Sequence, residues 1–305
     1  KPIAETLSEA ESLAPLVRPD SSNLMIGHIV LFNSEFPQVK EFGTESAIIA
    51  DLGALMAELD RREIYTIARL SVFWDQALTA ARPEMALKSK ANAGQAWLDG
   101  YGKRWANPHD TRVWDYNIGI AEEVARRGFD EVQFDIAYFP ANGDLRDIDF
   151  GEINAGKKDV EAITGFLGRA RGVLSRRGTF TSVDMLGLTP FVQDDMGVGQ
   201  QFDEVAKQVD YISPFVYPSD FADGFLDYAK PAENPADIVA NSVRNAVRRA
   251  GEKKVRPWLQ DFSREFIYDP PKVRAQIDAA EANRSAGWML FNFDNVYSEP
   301  ALKAP

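Results

Sequence analysis

The chain has 305 residues, of which 45% are hydrophobic, with 34 basic and 46 acidic side chains and a formal net charge of −12. It contains no cysteine and two histidines, which excludes disulfides, thiolate nucleophiles, Cys-ligated metals and a His-rich metal centre. The acidic balance argues against nucleic acid or an anionic membrane as a partner, and no run approaches the ~18 apolar residues of a membrane span.

The opening stretch KPIAETLSEAESLAPL is helix-like over Ile3–Val17 and lacks the basic head and apolar core of a signal peptide. Absence of cysteine suits a periplasmic or extracellular setting with a leader already removed, and it is equally compatible with the cytoplasm, where many chains also lack cysteine. From there the chain alternates short β-branched or aromatic runs with helix-period segments, the pattern of βα units around a parallel sheet. The expected strands are Leu24–Phe32, Ile64–Phe73, Glu131–Asp135, Phe180–Met185, Tyr211–Tyr217, Val255–Asp261 and Gly287–Phe293. The expected helices between them are Glu45–Arg61, Thr111–Arg127, Lys157–Arg176, Pro235–Ala250 and Pro271–Ala286. In Thr111–Arg127, Val113, Tyr116, Ile120 and Val124 make one apolar stripe, with Pro108 before the helix and Gly128 after it. Residues 81–107 show no clean period and read as an excursion on the strand-end face, carrying Trp97, Tyr101 and Trp105.

Seven such strands in one domain, 1–305, are one short of a closed TIM-type (β/α)8 barrel. Either the first strand lies upstream of Lys1, which we favour because an open parallel edge would expose unpaired backbone, or the barrel is irregular.

In a parallel barrel, chemistry sits where strands end. In EVQFD, alternation puts Gln133 and Asp135 on one face and Val132 and Phe134 on the other, under the helices. Asp135 is then an inward carboxylate at a strand tip, either catalytic or a cap for the following loop. Ser182 and Asp184 repeat the arrangement in FTSVDMLG. Neighbouring tips lie ~4.8 Å apart, near the ~5–5.5 Å spacing of a retaining glycosidase pair, with structural pairing as the other reading of Asp184. Asp261, beside Gln260 in VRPWLQDFS, is a third acidic tip that either serves the site or caps its loop. Arg69 interrupts an apolar strand and needs a carboxylate partner, which Asp135 or Asp184 could supply. Tyr217 and Asn292 end later strands and read either as sugar-hydroxyl ligands or as core hydrogen-bonders.

Trp74, Trp97, Tyr101, Trp105, Tyr138 and Trp258 fall near strand ends, where aromatic rings could stack on sugars, whereas Trp114 belongs to a helix and the core. His28 reads as a core residue and His109 as part of a helix start. The pair Asp194–Asp195 lacks the spacing of a calcium loop, so no metal and no cofactor is expected.

Taken together, IYTIARLSVFWD, NPHDTRVWDYNIGIAEEVARRGFDEVQFDIAYFP, SVDMLGLT with DDMGVGQ, VDYISPFVYPSDF, RPWLQDF and GWMLFN resemble a bacterial family of TIM-barrel proteins classed as glycoside hydrolases. That family is distantly related to the α-amylase and α-galactosidase barrels. The resemblance runs in order from about Ile64 onward. It makes Leu24–Phe32 strand two and EVQFD strand four, and implies that Asp135 holds the nucleophile position of retaining enzymes. In α-amylase-like barrels the donor and a further acid end strands five and seven, where this chain has Asp184 and Asp261; here the donor would be Asp rather than Glu, and Gln133 replaces an arginine. In α-galactosidase-like barrels the donor follows strand six, where Asp220 is the candidate.

The expectation is a retaining hydrolase or transglycosylase of an envelope or extracellular polysaccharide, with α-linkages as the expected target. Asp135, Asp184 and Asp261 would be catalytic. Arg69, Gln133, Tyr138, Tyr217, Trp258, Gln260, Asn292, Trp97 and Trp105 would bind substrate. The alternatives are a carbohydrate-binding barrel without chemistry and a metal-assisted polysaccharide hydrolase or deacetylase. Carboxyl spacing discriminates the first and chelation the second.

Overall fold

A computed structural model describes residues 52–302 except 155, 157 and 295, together with the strand backbone of Ile29–Val30. His28, the helix expected over residues 3–17, and residues 45–51 of the next helix lie outside the described residues.

Seven parallel strands form one sheet: β1 (Ile29–Val30), β2 (Ile67–Ser71), β4 (Glu131–Asp135), β6 (Phe180–Met185), β7 (Tyr211–Val216), β8 (Trp258–Gln260) and β9 (Met289–Phe291). Their spatial order is their chain order, so each crossover returns the chain beside the strand it left. The crossovers are helical: α1 (Leu52–Arg61), α3 (Thr111–Arg126), α4 (Asp159–Leu174), α5 (Phe202–Gln208), α6 (Pro235–Ala250) and α7 (Pro270–Ala282), with α8 (Glu299–Leu302) after the last strand. Each expected strand is present within its expected bounds. The excursion after β2 carries α2 (Gln76–Ala81), and its β3 (Lys88–Ser89) pairs antiparallel with β5 (Ile148–Asp149) from the loop after β4.

The helices start and stop for local reasons. Asp110 caps α3 by accepting from the Arg112 N–H, and Gly128 follows α3 at φ 94°, a conformation glycine adopts without penalty. Asp269 caps α7 in the same way, ahead of prolines in its first turn. The helix-facing side of β4 is Val132 and Phe134, both fully buried; the Phe134 ring packs edge-on against Phe166 of α4 at 5.0 Å between centroids. Trp114 of α3 packs on the same ring and donates its indole N–H to the Pro108 carbonyl, as expected for a core residue.

The other face turns inward, and the sheet curls. Gln133 Nε2 of β4 lies 3.8 Å from Met289 Sδ of β9, four places away in the sheet. In a flat sheet those strands would be separated by about 19 Å. Ile67, Tyr217, Trp258, Phe262 and Met289 likewise form one interior cluster drawn from strands and strand ends on opposite sides. Beneath it is a polar floor. Glu131 accepts from Arg256 Nη2 at 2.5 Å, from the Tyr65 hydroxyl at 2.9 Å and from the Ser182 hydroxyl, while the Arg256 guanidinium sits 3.6 Å from the centroid of the Tyr211 ring. Among the described residues, no helix is long and apolar enough to cross a membrane.

Candidate active site

At the C-terminal end of the sheet, three inward side chains from three adjacent strands meet. Arg69 and Gln133 are register partners on β2 and β4, and Gln133 pairs in turn with Ser182 on β6, so the next inward positions bring Asp135 and Asp184 to Arg69. Arg69 Nη2 lies 2.9 Å from Asp135 Oδ2, and Arg69 Nε lies 2.6 Å from Asp184 Oδ2. One guanidinium edge thus serves one oxygen of each carboxylate.

The two carboxylates differ in environment. Asp184 is fully buried: Oδ2 is held by Arg69, and Oδ1 accepts the Trp258 indole N–H at 2.7 Å. Burial pushes its carboxyl up to about 7, with the Asp135 charge adding to the shift, and Arg69 and the Trp258 N–H opposing it. Asp135 keeps a partly exposed side chain (16%), and its Oδ1 accepts from the Ile136 N–H at 2.8 Å. That bond belongs to an unusual turn. Ile136 has φ 51°, a left-handed conformation that costs a β-branched residue about 1–3 kcal/mol and is concentrated at functional sites. For Arg69, burial opposes the charge, but the two carboxylates outweigh it and hold the guanidinium firmly charged.

Rings close around this cluster. The Arg69 guanidinium lies over the Trp258 ring at 5.3 Å and the Phe215 ring at 5.7 Å. Tyr217 is buried against Phe215, Phe262 and Phe291. Burial raises its hydroxyl well above the usual range, and the charges of Arg69, Asp184, Asp135 and Asp220 all reach it. Tyr138, half-buried beside Asp135, is raised by burial and by that carboxylate. Asp220 follows β7 in a short turn, pairs with Arg264, and keeps 41% of its side chain exposed; burial raises its carboxyl. A cavity of about 170 Å³ opens alongside, lined by Ser219, Asp223, Lys230, Arg264 and Glu265 among others.

The remaining sequence candidates lie elsewhere or are engaged in structure. Gln133 is buried below the cluster, donating to Ser213 Oγ at 2.9 Å. Gln260 is buried and binds Ser219, Phe262 and the Gln276 side chain, tying β8 to α7. Asp261 accepts from both the N–H and hydroxyl of Ser298, and Asn292 donates to the Asp261 carbonyl at 2.5 Å, so these two clasp the segment after β9. Trp97 and Trp105 are buried, their indole N–H groups bonded to the Asp144 carbonyl and to Asp99. Trp258 is buried and donates its indole N–H to Asp184. His109 is buried at the start of α3 and contacts Asp159 at 3.1 Å. Asp194 and Asp195 each accept from a backbone N–H two residues on, closing exposed turns.

One contributor escaped the sequence reading. Gln200, fully buried, accepts from the Leu186 N–H at 3.0 Å and donates to the Asp184 carbonyl at 2.9 Å and the Ala137 carbonyl at 3.4 Å, bracing the loops after β4 and β6 together. Its motif, DDMGVGQ, carries no sign of that contact. Among the described residues, no group of three or more His, Asp or Glu side chains gathers as a metal would require.

Residues 26–297 match the model of the DUF4015 family, described as "Putative glycosyl hydrolase domain". The chain belongs to that family. Its fold is shared with distant solved structures. The PgaB (BpsB) glycoside hydrolase domain of Bordetella bronchiseptica superposes with a TM-score of 0.57 at 14% identity, covering 78% of this chain and 73% of that one. The spore cortex-lytic enzyme SleL of Bacillus megaterium gives 0.58 at 12% identity, with 97% and 69% covered. An α-galactosidase of Thermus thermophilus gives 0.50 at 12% identity, with 80% and 47% covered. These neighbours establish the TIM-barrel-like α/β architecture for this DUF4015 chain. No curated protein matches it in sequence.

Proposed function

We propose that this DUF4015 protein is a retaining glycoside hydrolase of an extracellular or envelope polysaccharide, with Asp135 as nucleophile. The observation that carries the reading is Asp135 itself: a partly exposed carboxylate at an inward strand tip, held by Arg69 and followed by a strained residue. The guanidinium orients one oxygen and the Ile136 N–H fixes the other, so the carboxylate is preorganised for attack at an anomeric carbon. Asp184 has no exposed surface and both oxygens bonded, so it serves as the anchor of Arg69 rather than as the group that meets a leaving oxygen. Asp220, exposed at the mouth and raised by burial, suits the proton donor. The family description supports hydrolysis of a glycosidic bond, and the fold likeness to an α-galactosidase points toward an α-linkage.

The test uses 2,4-dinitrophenyl α- and β-glycosides and a panel of polysaccharides. Asp135→Ala abolishes turnover of both, and azide restores the aryl glycoside reaction by replacing the missing nucleophile. Asp220→Asn loses polysaccharide cleavage far more than cleavage of the dinitrophenyl substrate, whose leaving group needs no proton. Undiminished turnover by Asp135→Ala ends the proposal.

A further inference from the structure

The excursion between β2 and α3 ends in a turn built with unusual care around one carboxylate. Asp99 Oδ1 accepts from the N–H groups of Tyr101 and Lys103, both at 2.9 Å. Its Oδ2 accepts the indole N–H of Trp74 at 2.9 Å and of Trp105 at 3.0 Å. Burial pushes this carboxyl up, but the four donors win and hold it below the usual range. The turn is fastened from a second side. Gly100 N–H donates to Asn142 Oδ1 at 2.9 Å, and Trp97 Nε1 donates to the Asp144 carbonyl at 3.0 Å. Gly143, at φ 88°, packs so closely that a Cβ there would sit 3.1 Å from both Gly100 N and the Trp97 ring.

All this order presents an apolar surface to solvent. Tyr101 is 75% exposed and Leu98 is 50% exposed, at the tip of the rigid turn. Contacts also link the turn to the candidate site. The Trp105 ring lies 6.0 Å from Tyr138, and Tyr138 is the tyrosine whose hydroxyl feels the Asp135 charge. Trp74 stands three residues beyond the end of β2, the strand of Arg69. A loop tip held this firmly has already lost the entropy that a ligand would otherwise have to remove, which favours binding over mere surface display. A tyrosine supplies a broad rigid face with few rotors and a hydroxyl at its rim. Polar groups flank it in Lys103 and Asn142.

We propose that Tyr101 is the stacking platform of a distal subsite for a pyranose ring, so that the ligand is a polysaccharide chain reaching from Asp135 to the excursion. This rests on the hydrolase reading for the identity of the ligand and is tested by binding, independently of turnover. The Asp135→Asn protein is run in native gels containing amylopectin, dextran or glycol chitosan. At least one polymer retards it, Tyr101→Ala in the same background weakens that retardation at least about tenfold, and Tyr101→Phe keeps most of it. Thermal melting of Tyr101→Ala matches the parent, because the ring buries little surface. The inference is overturned if no polymer retards the protein, if Tyr101→Ala is retarded as strongly as the parent, or if sedimentation shows Tyr101→Ala turning a dimer into monomers, since a second copy would then be the occupant. Tyr101-dependent binding without cleavage of any bound polymer by the unmutated chain would keep the subsite and sink the hydrolase reading. Cleavage with Tyr101-independent binding would do the reverse.

Discussion

Arg69 holds two acids at once, and removing it strands both. In Arg69→Met, Asp184 would keep its burial and lose its counter-charge, so we expect a loss of about 3–5 kcal/mol in urea unfolding at neutral pH. The loss should shrink on acidification, because a protonated Asp184 needs no cation. Trp258→Phe keeps a ring over Arg69 and removes only the N–H that Asp184 Oδ1 accepts. It should cost about 1.5–3 kcal/mol and raise the Asp184 titration seen by NMR. An arginine within an apolar strand announced its need for a carboxylate, and alternation named Asp135 and Asp184 as inward groups. What alternation could not give is how each was used. Whether the Trp258 edge faces a ligand or Asp184 depends on the register between strands two places apart, and Gln200 reaches the site from a loop with no period at all.

Strands β4, β6 and β7 were legible because each is an apolar run with a polar alternate, bounded by turn residues, and α3 and α6 because their apolar stripes are long. The short helices α2 and α5 were not, since two turns or fewer hold too little periodicity to read; capping by Asp75 and Gln201 makes them. The excursion read as aperiodic because it consists of isolated bridges and side-chain-capped turns rather than a repeating element. Two glycines test how tightly elements meet. At Gly187, just past β6, a Cβ would sit 2.2 Å from the Phe215 carbonyl, so Gly187→Ala must force the tips of β6 and β7 apart. We expect at least about 1–3 kcal/mol of destabilisation by chemical denaturation. At Gly172 in α4 nothing lies within 4 Å of a Cβ, so Gly172→Ala should instead add about 0.5–1 kcal/mol.

Over the whole molecule, Asp184 gives stability a definite pH slope. Its carboxyl titrates near 4 when unfolded and about 7 when folded, so the folded chain holds the extra proton between those values. Its contribution is complete below the unfolded value and is lost as pH rises through about 7. The melting temperature of the parent relative to Asp184→Asn should therefore fall from pH 4 to pH 7.5, and a flat difference would contradict the assignment. The floor of Glu131 and Arg256 has another consequence. With Gln133, Ser213 and Met289 stacked above it, the interior beneath Asp135 is plugged by side chains. On the proposed function, a glycan would therefore lie broadside across the strand tips instead of threading the sheet.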